Sequence, residues 1–231
     1  KFNESFKETK LAYLIPDFKN PSARTYSDEK REQIARIVSE EDGILIEDSP
    51  YSELFFDKKN TSISVKIPKN SFHLGSFSKT LVPSLRIGWI RADEKLLQSL
   101  MIIKESIDLH SCGISQYILN EYLKDEEKYE KHLQDIRDDY EKKANFFCEQ
   151  LDKYLPEFKY EKPKGGMFLY GSFEGIDSFA LVQKCIEQKV VYVPGNQFYI
   201  DKVPNGEIRF NYTHSTFEQI ERGIKLIKNC L

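Results

Sequence analysis

Four short apolar runs alternate with polar or amphipathic stretches through the first hundred residues. That alternation limits the possible folds more than any other feature of the sequence. Residues 11–16 (LAYLIP) are nearly all apolar, as strands buried on both faces of a parallel sheet tend to be. Residues 43–48 (GILIED), 71–76 (SFHLGS) and 85–91 (LRIGWIR) read as three more buried strands. Between the first two, residues 27–41 read as a helix. Ser27 suits the N-cap, Asp28 and Glu29 the first turn, and Ile34, Ile37 and Val38 share a face before Gly43 ends the run. Strands alternating with helices predict an α/β layer with a mostly parallel sheet. Such sheets bind ligands beyond the carboxyl ends of their strands. The polar residues just after Pro16, Ile46 and Gly75 therefore fall on one rim.

The second half changes character. Residues 95–104 and 116–124 read as helices. A long helix over about 128–154 carries the stripe Leu133, Ile136, Tyr140, Ala144, Phe147, Leu151 and Tyr154. Residues 166–172, 190–194 and 207–212 read as strands and 178–188 as a helix. A final helix has Phe217, Ile220, Ile224, Ile227 and Leu231 on one face, opened by the capping-box pair Thr216 and Gln219. This is an α+β pattern. The expected division lies near residue 130, giving domains 1–130 and 131–231.

Composition excludes several classes. Pro plus Gly is 20 of 231 residues, so the chain is neither collagenous nor low-complexity. With 40% apolar and 31% charged residues it reads as a soluble globular protein. Residues 109–120 form its longest stretch free of Asp, Glu, Lys and Arg, only twelve residues. A membrane span needs about twenty apolar ones. Lys plus Arg is 34 against 37 Asp plus Glu, which provides no overall field for nucleic acid or an anionic membrane. Cys112, Cys148, Cys185 and Cys230 lie 36, 37 and 45 residues apart, without metal-binding spacing. They read as reduced thiols of a cytoplasmic protein, and no metal ligands are assigned.

Three segments on the expected rim carry reactive groups. Ser76-Phe77-Ser78-Lys79 follows a strand, so Lys79 sits where a charged side chain is costly and a neutral, nucleophilic amine is favoured. Arg86, seven residues on, can join Ser76 and Ser78 in a phosphate cradle. Taken alone, the segment is as readable as a surface turn. Asp48 ends another strand and can pair with a protonated ring nitrogen, with the Tyr51 phenol nearby. An N-cap aspartate and a packing tyrosine would look the same. Asn20-Pro21 follows the first strand, where an ordinary Asn-Pro turn is the plain alternative. Three such segments at strand ends of one sheet make coincidence the weaker account.

These residues resemble the pyridoxal-phosphate aminotransferases of fold type I, class I/II. The matching strings are IPDFKNPS (15–22), IEDSPYSELFFD (46–57), SFSKTLVPSLRIGW (76–89), KGGMFLY (164–170), VYVPGNQFY (191–199) and IRFNYT (208–213). They are most similar to the branch of 2-aminoadipate, aromatic and kynurenine aminotransferases, which also holds MocR-type regulators. The resemblance implies part of the large cofactor domain followed by the α+β small domain. It implies pyridoxal 5'-phosphate as cofactor and amino acids and 2-oxo acids as substrates. Lys79 is implied to form the Schiff base and shuttle the proton, Asp48 to hold the pyridine nitrogen protonated, and Tyr51 and Asn20 to bond the phenolic oxygen. Ser76, Ser78 and Arg86 are implied to bind the phosphate, and Arg209, with Asn20, the substrate carboxylate. A homodimer is implied as well.

The sequence departs from the family where Ala23 replaces the usual glycine of the Asn-Pro turn. A positive φ is costly for alanine, so a different turn is expected there. His214 is expected in an exposed loop. The chain starts at Lys1, and residues 2–10 show no signal-peptide pattern. A fragment or processed product is therefore expected, lacking the family's N-terminal part and, by itself, inactive and a weak cofactor binder. The leading expectation is an aminotransferase. The alternatives are the effector domain of a MocR-type regulator, whose DNA-binding domain would lie upstream, and a C–S lyase or other reaction on the same scaffold.

Overall fold

The computed structural model describes residues 2–200 and 206–231. They form two units. The first comprises Lys1–Asp17, Thr25–Glu53 and Lys58–Gln134. The second comprises Phe18–Arg24, Leu54–Asp57 and Asp135–Leu231.

The first unit starts with helix α1 (Phe2–Thr9), which sequence reasoning did not assign although Phe2 and Phe6 stand one turn apart, and strand β1 (Leu11–Leu14). Helix α2 (Asp28–Glu40) follows as expected, with Ser27 Oγ accepting from the Lys30 amide at 3.3 Å. Strands β2 (Ile44–Asp48), β3 (Ser71–Ser76) and β4 (Gly88–Arg91) complete a sheet ordered β1-β2-β3-β4. The first three strands are parallel, and β4 pairs antiparallel with β3. Helices α3 (Glu94–Ile107) and α4 (Gly113–Leu123) follow.

Only one face of this sheet is buried as expected. Phe6 of α1 and Ile34, Ala35 and Val38 of α2 pack with Leu45, Ile63 and Ile67, joined by Ala12 and Leu14. Glu47 lies in this core fully buried. Its carboxylate accepts the Ile63 amide at 3.0 Å and the Ser64 amide at 2.7 Å, as a buried charge must to be tolerated. On the opposite face Leu11 is 54% exposed, Tyr13 55% and Ile90 48%. Within this chain the strands are thus buried on one face. Strand β4 is exposed at all four positions in this chain and is the one antiparallel strand of the four. The reason is topological. A parallel return requires a crossover of a dozen residues or more. Residues 77–87 hold a single 3-10 turn, Pro83–Leu85, so the chain doubles back as an antiparallel edge strand.

Helix α5 (Glu126–Tyr154) runs through the boundary between the units. In the second unit its residues Ala144, Phe147, Cys148 and Leu151 pack on a sheet of β5 (Lys159–Tyr160), β6 (Phe168–Ser172), β7 (Val193–Pro194) and β8 (Glu207–Asn211). The order is β5-β6-β8-β7, antiparallel throughout. Helices α6 (Ser178–Glu187) and α7 (Phe217–Cys230) supply Leu181, Val182, Ile220, Ile224 and Ile227 to the same core. Both halves of the Thr216–Gln219 capping box are present. The strand expected over 190–194 shrinks to two residues. Lys189 takes a positive φ after α6 and Val191 is exposed, so pairing starts only at Val193.

Two short segments from early in the chain belong to this second unit. The Gly166 amide donates to Leu54 O at 2.8 Å and the Phe56 amide to Lys164 O at 3.1 Å. Tyr212 is fully buried, and its hydroxyl donates to the carbonyls of Gly165 and Gly166 at 3.2 and 2.9 Å. A Cβ on Gly165 would lie 2.5 Å from the Phe18 ring and 2.6 Å from Leu54 O. Glycine is needed there because two backbones and a ring meet.

All four cysteines are free thiols, with Cys148 and Cys185 buried. No helix among the described residues is long and apolar enough to cross a membrane.

Candidate active site

The first unit carries six of the candidate groups. Asp48 is the last residue of β2, and Tyr51 is buried in the turn that follows. Ser76 ends β3. Ser78 and Lys79, both partly buried, lie in the turn just beyond. The Ser78 amide donates to Ser76 Oγ at 3.1 Å, which folds the two serines into one tight turn. Arg86 is exposed and in the left-handed region (φ 56°), with Nη1 on Pro83 O at 3.1 Å. All six thus sit at or beyond the carboxyl ends of β2 and β3.

The strand register orders them further. Tyr13 stands opposite Ile46, and Asp48 opposite Leu74. Side chains alternate between faces, so Tyr13, Asp48 and Ser76 share the face that α2 leaves open. The Tyr13 hydroxyl donates to Asp48 Oδ2. Sequence reasoning missed Tyr13, which it placed inside an apolar strand. The signal that finds it is the parallel register, and a single strand does not reveal that.

The second unit holds Asn20 and Arg209. The Arg209 Nη1 donates to Asn20 Oδ1 at 2.6 Å. Its guanidinium carbon lies 4.5 Å from the Phe168 ring centroid and 5.3 Å from that of Phe198, a cation–π placement. The two candidates assigned to a substrate carboxylate thus touch each other. Phe168 and Phe198, which sequence reasoning did not single out, flank the pair. His214 is exposed in the bend before α7.

The turn carrying Asn20 corrects one expectation. The Asn20–Pro21 peptide is cis, and Ala23 takes φ 56°, the positive-φ conformation expected to be costly for alanine. The Ala23 amide bonds Lys19 O at 2.8 Å and the Lys19 amide bonds Arg24 O at 3.2 Å. These bonds hold a turn that the residue itself disfavours by about 1–2 kcal/mol. Ala23→Gly is therefore expected to stabilise the protein by up to about 1 kcal/mol, the relief offset in part by glycine's greater chain entropy. Chemical denaturation of the two proteins side by side checks the sign.

The first unit's donor set is an amine, a carboxylate, a phenol, two hydroxyls and a guanidinium on one rim. That set suits a phosphorylated aromatic aldehyde with a basic ring nitrogen. Hydroxyls and guanidinium match phosphate, the carboxylate a ring N–H, and the amine the aldehyde. Among the described residues no group of three or more His, Cys, Asp or Glu side chains could hold a metal ion.

Comparison with known proteins agrees with this chemistry. The aminotransferase class I and II family matches residues 9–227. Aromatic-amino-acid aminotransferase 1 of Thermococcus litoralis is 34% identical over 224 residues, covering 95% of this chain and 53% of that protein. The HTH-type transcriptional regulator NorG of Staphylococcus aureus is 30% identical over 222 residues, covering 94% of this chain and 49% of the regulator. Among solved structures, LysN, an alpha-aminoadipate aminotransferase from Thermus thermophilus complexed with N-(5'-phosphopyridoxyl)-L-leucine, matches with a TM-score of 0.90. It is 29% identical, and the match covers 99% of this chain and 61% of that one. This chain thus spans about half the length of the curated relatives it matches. With its fold, rim chemistry and sequence in agreement, the chain belongs to the class I and II aminotransferase family.

Proposed function

We propose that the protein carrying this chain is a pyridoxal-phosphate-dependent aminotransferase, moving an amino group between an amino acid and a 2-oxo acid. The observation that carries the proposal is the row Asp48, Ser76, Ser78 and Lys79 at the carboxyl ends of β2 and β3. The first unit would hold the cofactor and the second the substrate carboxylate, close to a division at 1–130 and 131–231. Pyridoxal phosphate, when bound, supplies an aldehyde carbon for amine exchange and a protonated ring that accepts the electron pair of the broken α-carbon–hydrogen bond.

The chain's own groups do the rest. Ser76, Ser78 and Arg86 bind the phosphate. Asp48 holds a proton on the ring nitrogen, and Tyr51 and Asn20 bond the phenolic oxygen. Lys79 Nζ takes the proton from the substrate α-carbon and later returns it. Arg209 forks onto the α-carboxylate, and this fixes which α-bond is broken, an orientation effect. Stacking by Phe168 and Phe198 limits the ways that guanidinium can turn.

We propose further that the protein works as a homodimer in the cytoplasm. The homodimer follows the family resemblance, and four free thiols fit a reducing compartment. The likeness to NorG supports a second reading, the ligand-sensing domain of a transcriptional regulator. One assay separates the two. The full-length protein is given pyridoxal phosphate, 2-oxoglutarate and a panel of amino acids, and new 2-oxo acid is measured. Turnover with at least one donor is expected. Binding of the cofactor with no 2-oxo acid formed from any donor would overturn the enzyme in favour of the sensor.

A further inference from the structure

We propose that Tyr13 is a positioning residue for Asp48, holding its carboxylate in the orientation that receives the cofactor's ring N–H. The inference rests on the cofactor reading above. Its basis is the hydrogen bond from the Tyr13 hydroxyl to Asp48 Oδ2 and the register that makes the bond possible. In the parallel β1–β2 pair Tyr13 faces Ile46, two residues before Asp48 on the same side of the sheet. Two backbones already fixed by ladder hydrogen bonds therefore deliver donor and acceptor to one place.

The chemistry of the pair assigns the direction. An ionised carboxylate offers about four acceptor positions on two oxygens. A carboxylate at a strand end is free to turn about its terminal torsion, which is broad and roughly two-fold. Tyr13 removes that freedom by occupying Oδ2, and Oδ1 remains to meet a ring N–H. The proton also stays on the phenol. Partial burial, then the bond to Asp48, then the charges of Asp48 and Tyr51 push the Tyr13 hydroxyl up to about 12. At neutral pH it is a neutral donor beside an anion and does not compete for the ring's proton.

Nothing in this role requires Tyr13 to touch substrate. It lies on the open face of the first unit, more than half exposed, and its hydroxyl is engaged by the carboxylate. Tyr13→Phe deletes that one hydroxyl and keeps the ring.

The test is a double-mutant cycle read by binding of pyridoxal 5'-phosphate to the full-length protein, with Tyr13→Phe, Asp48→Asn and the double variant. Tyr13→Phe is expected to weaken binding about tenfold, the size of one hydrogen bond to a charged group. In the Asp48→Asn background the same change is expected to matter less than about twofold. Without cofactor, the Tyr13 Cζ resonance of 13C-tyrosine-labelled protein, identified by its loss in Tyr13→Phe, is expected to move in Asp48→Asn at pH 7. Equal weakening in both backgrounds, or none in either, overturns the assignment and leaves the cofactor reading standing. An unmodified protein that does not bind pyridoxal phosphate overturns both.

Discussion

Lys79→Ala is expected to lower the rate of transamination by about four orders of magnitude, the upper end of what a positioned acid–base group contributes, while leaving the fold intact. Two features argue for the size of the loss. Lys79 lies in the turn directly beyond β3, partly buried, beside the Ser76–Ser78 turn. No other amine lies in that turn. On the proposed function, the same site would lose both the nucleophile toward the cofactor and the base for the α-proton. The fold should survive because Lys79 makes no ion pair among the described residues, so the truncation orphans no buried group. Thermal melting of the variant should match the parent, and single-turnover kinetics should show the loss in the chemical step. A variant that retains a tenth or more of the parental rate would remove Lys79 from the chemistry.

The largest expected effect on stability lies at the buried ion pair of Asp17 and Arg31. Arg31 is 1% exposed and Asp17 3%. Arg31 Nη1 reaches Asp17 Oδ2 at 3.3 Å, and Nη2 reaches Oδ1 at 2.5 Å. The remaining donors go to the carbonyls of Pro16 at 3.2 Å, Tyr26 at 3.1 Å and Thr61 at 3.3 Å. Asn60 Nδ2 adds a bond to Asp17 at 2.9 Å. The guanidinium thus pins the end of β1, the entry to α2 and the segment after β2 together. Arg31→Met is expected to cost about 3–5 kcal/mol, because it leaves the carboxylate buried with one amide for a partner and takes a donor from three carbonyls, of which Pro16 O keeps the Tyr26 amide. Replacing both partners, as Asp17→Leu with Arg31→Met, is expected to cost less than Arg31→Met alone, since no charge then remains buried. Denaturant midpoints of the three proteins rank these losses.

The sequence made much of this legible, but unevenly. Helices α2, α5 and α7 follow from apolar spacing and from caps at Ser27 and Thr216, which are local signals. The run 71–76 matches β3 to the residue. What escaped depends on pairing. The antiparallel turn-back of β4 is set by the length of its connection to β3, which an apolar run over 85–91 does not carry. Tyr13 escaped because its partner lies 35 residues away and only strand register brings the two together. Ala23 misled because local propensity opposes a conformation that hydrogen bonds to Lys19 and Arg24 impose. Asn20 and Arg209 were each legible as candidates through the family strings. Their contact, 189 residues apart in sequence, was not.

That second unit is assembled from discontinuous pieces, and this governs how it can come into being. Leu54 accepts the Gly166 amide, Phe18 fills the space beside Gly165, and Asn20 receives the Arg209 guanidinium. A ribosome releases residues 18–24 and 54–57 long before 164–166 and 209 exist. The early pieces must wait through the synthesis of more than a hundred residues and then pay the entropy of closing a very long loop. Assembly of this half is therefore a late, non-local event. It also has no autonomous gene segment: a cut after residue 134 would leave its glycine turn and its arginine without the partners that the first quarter of the chain provides.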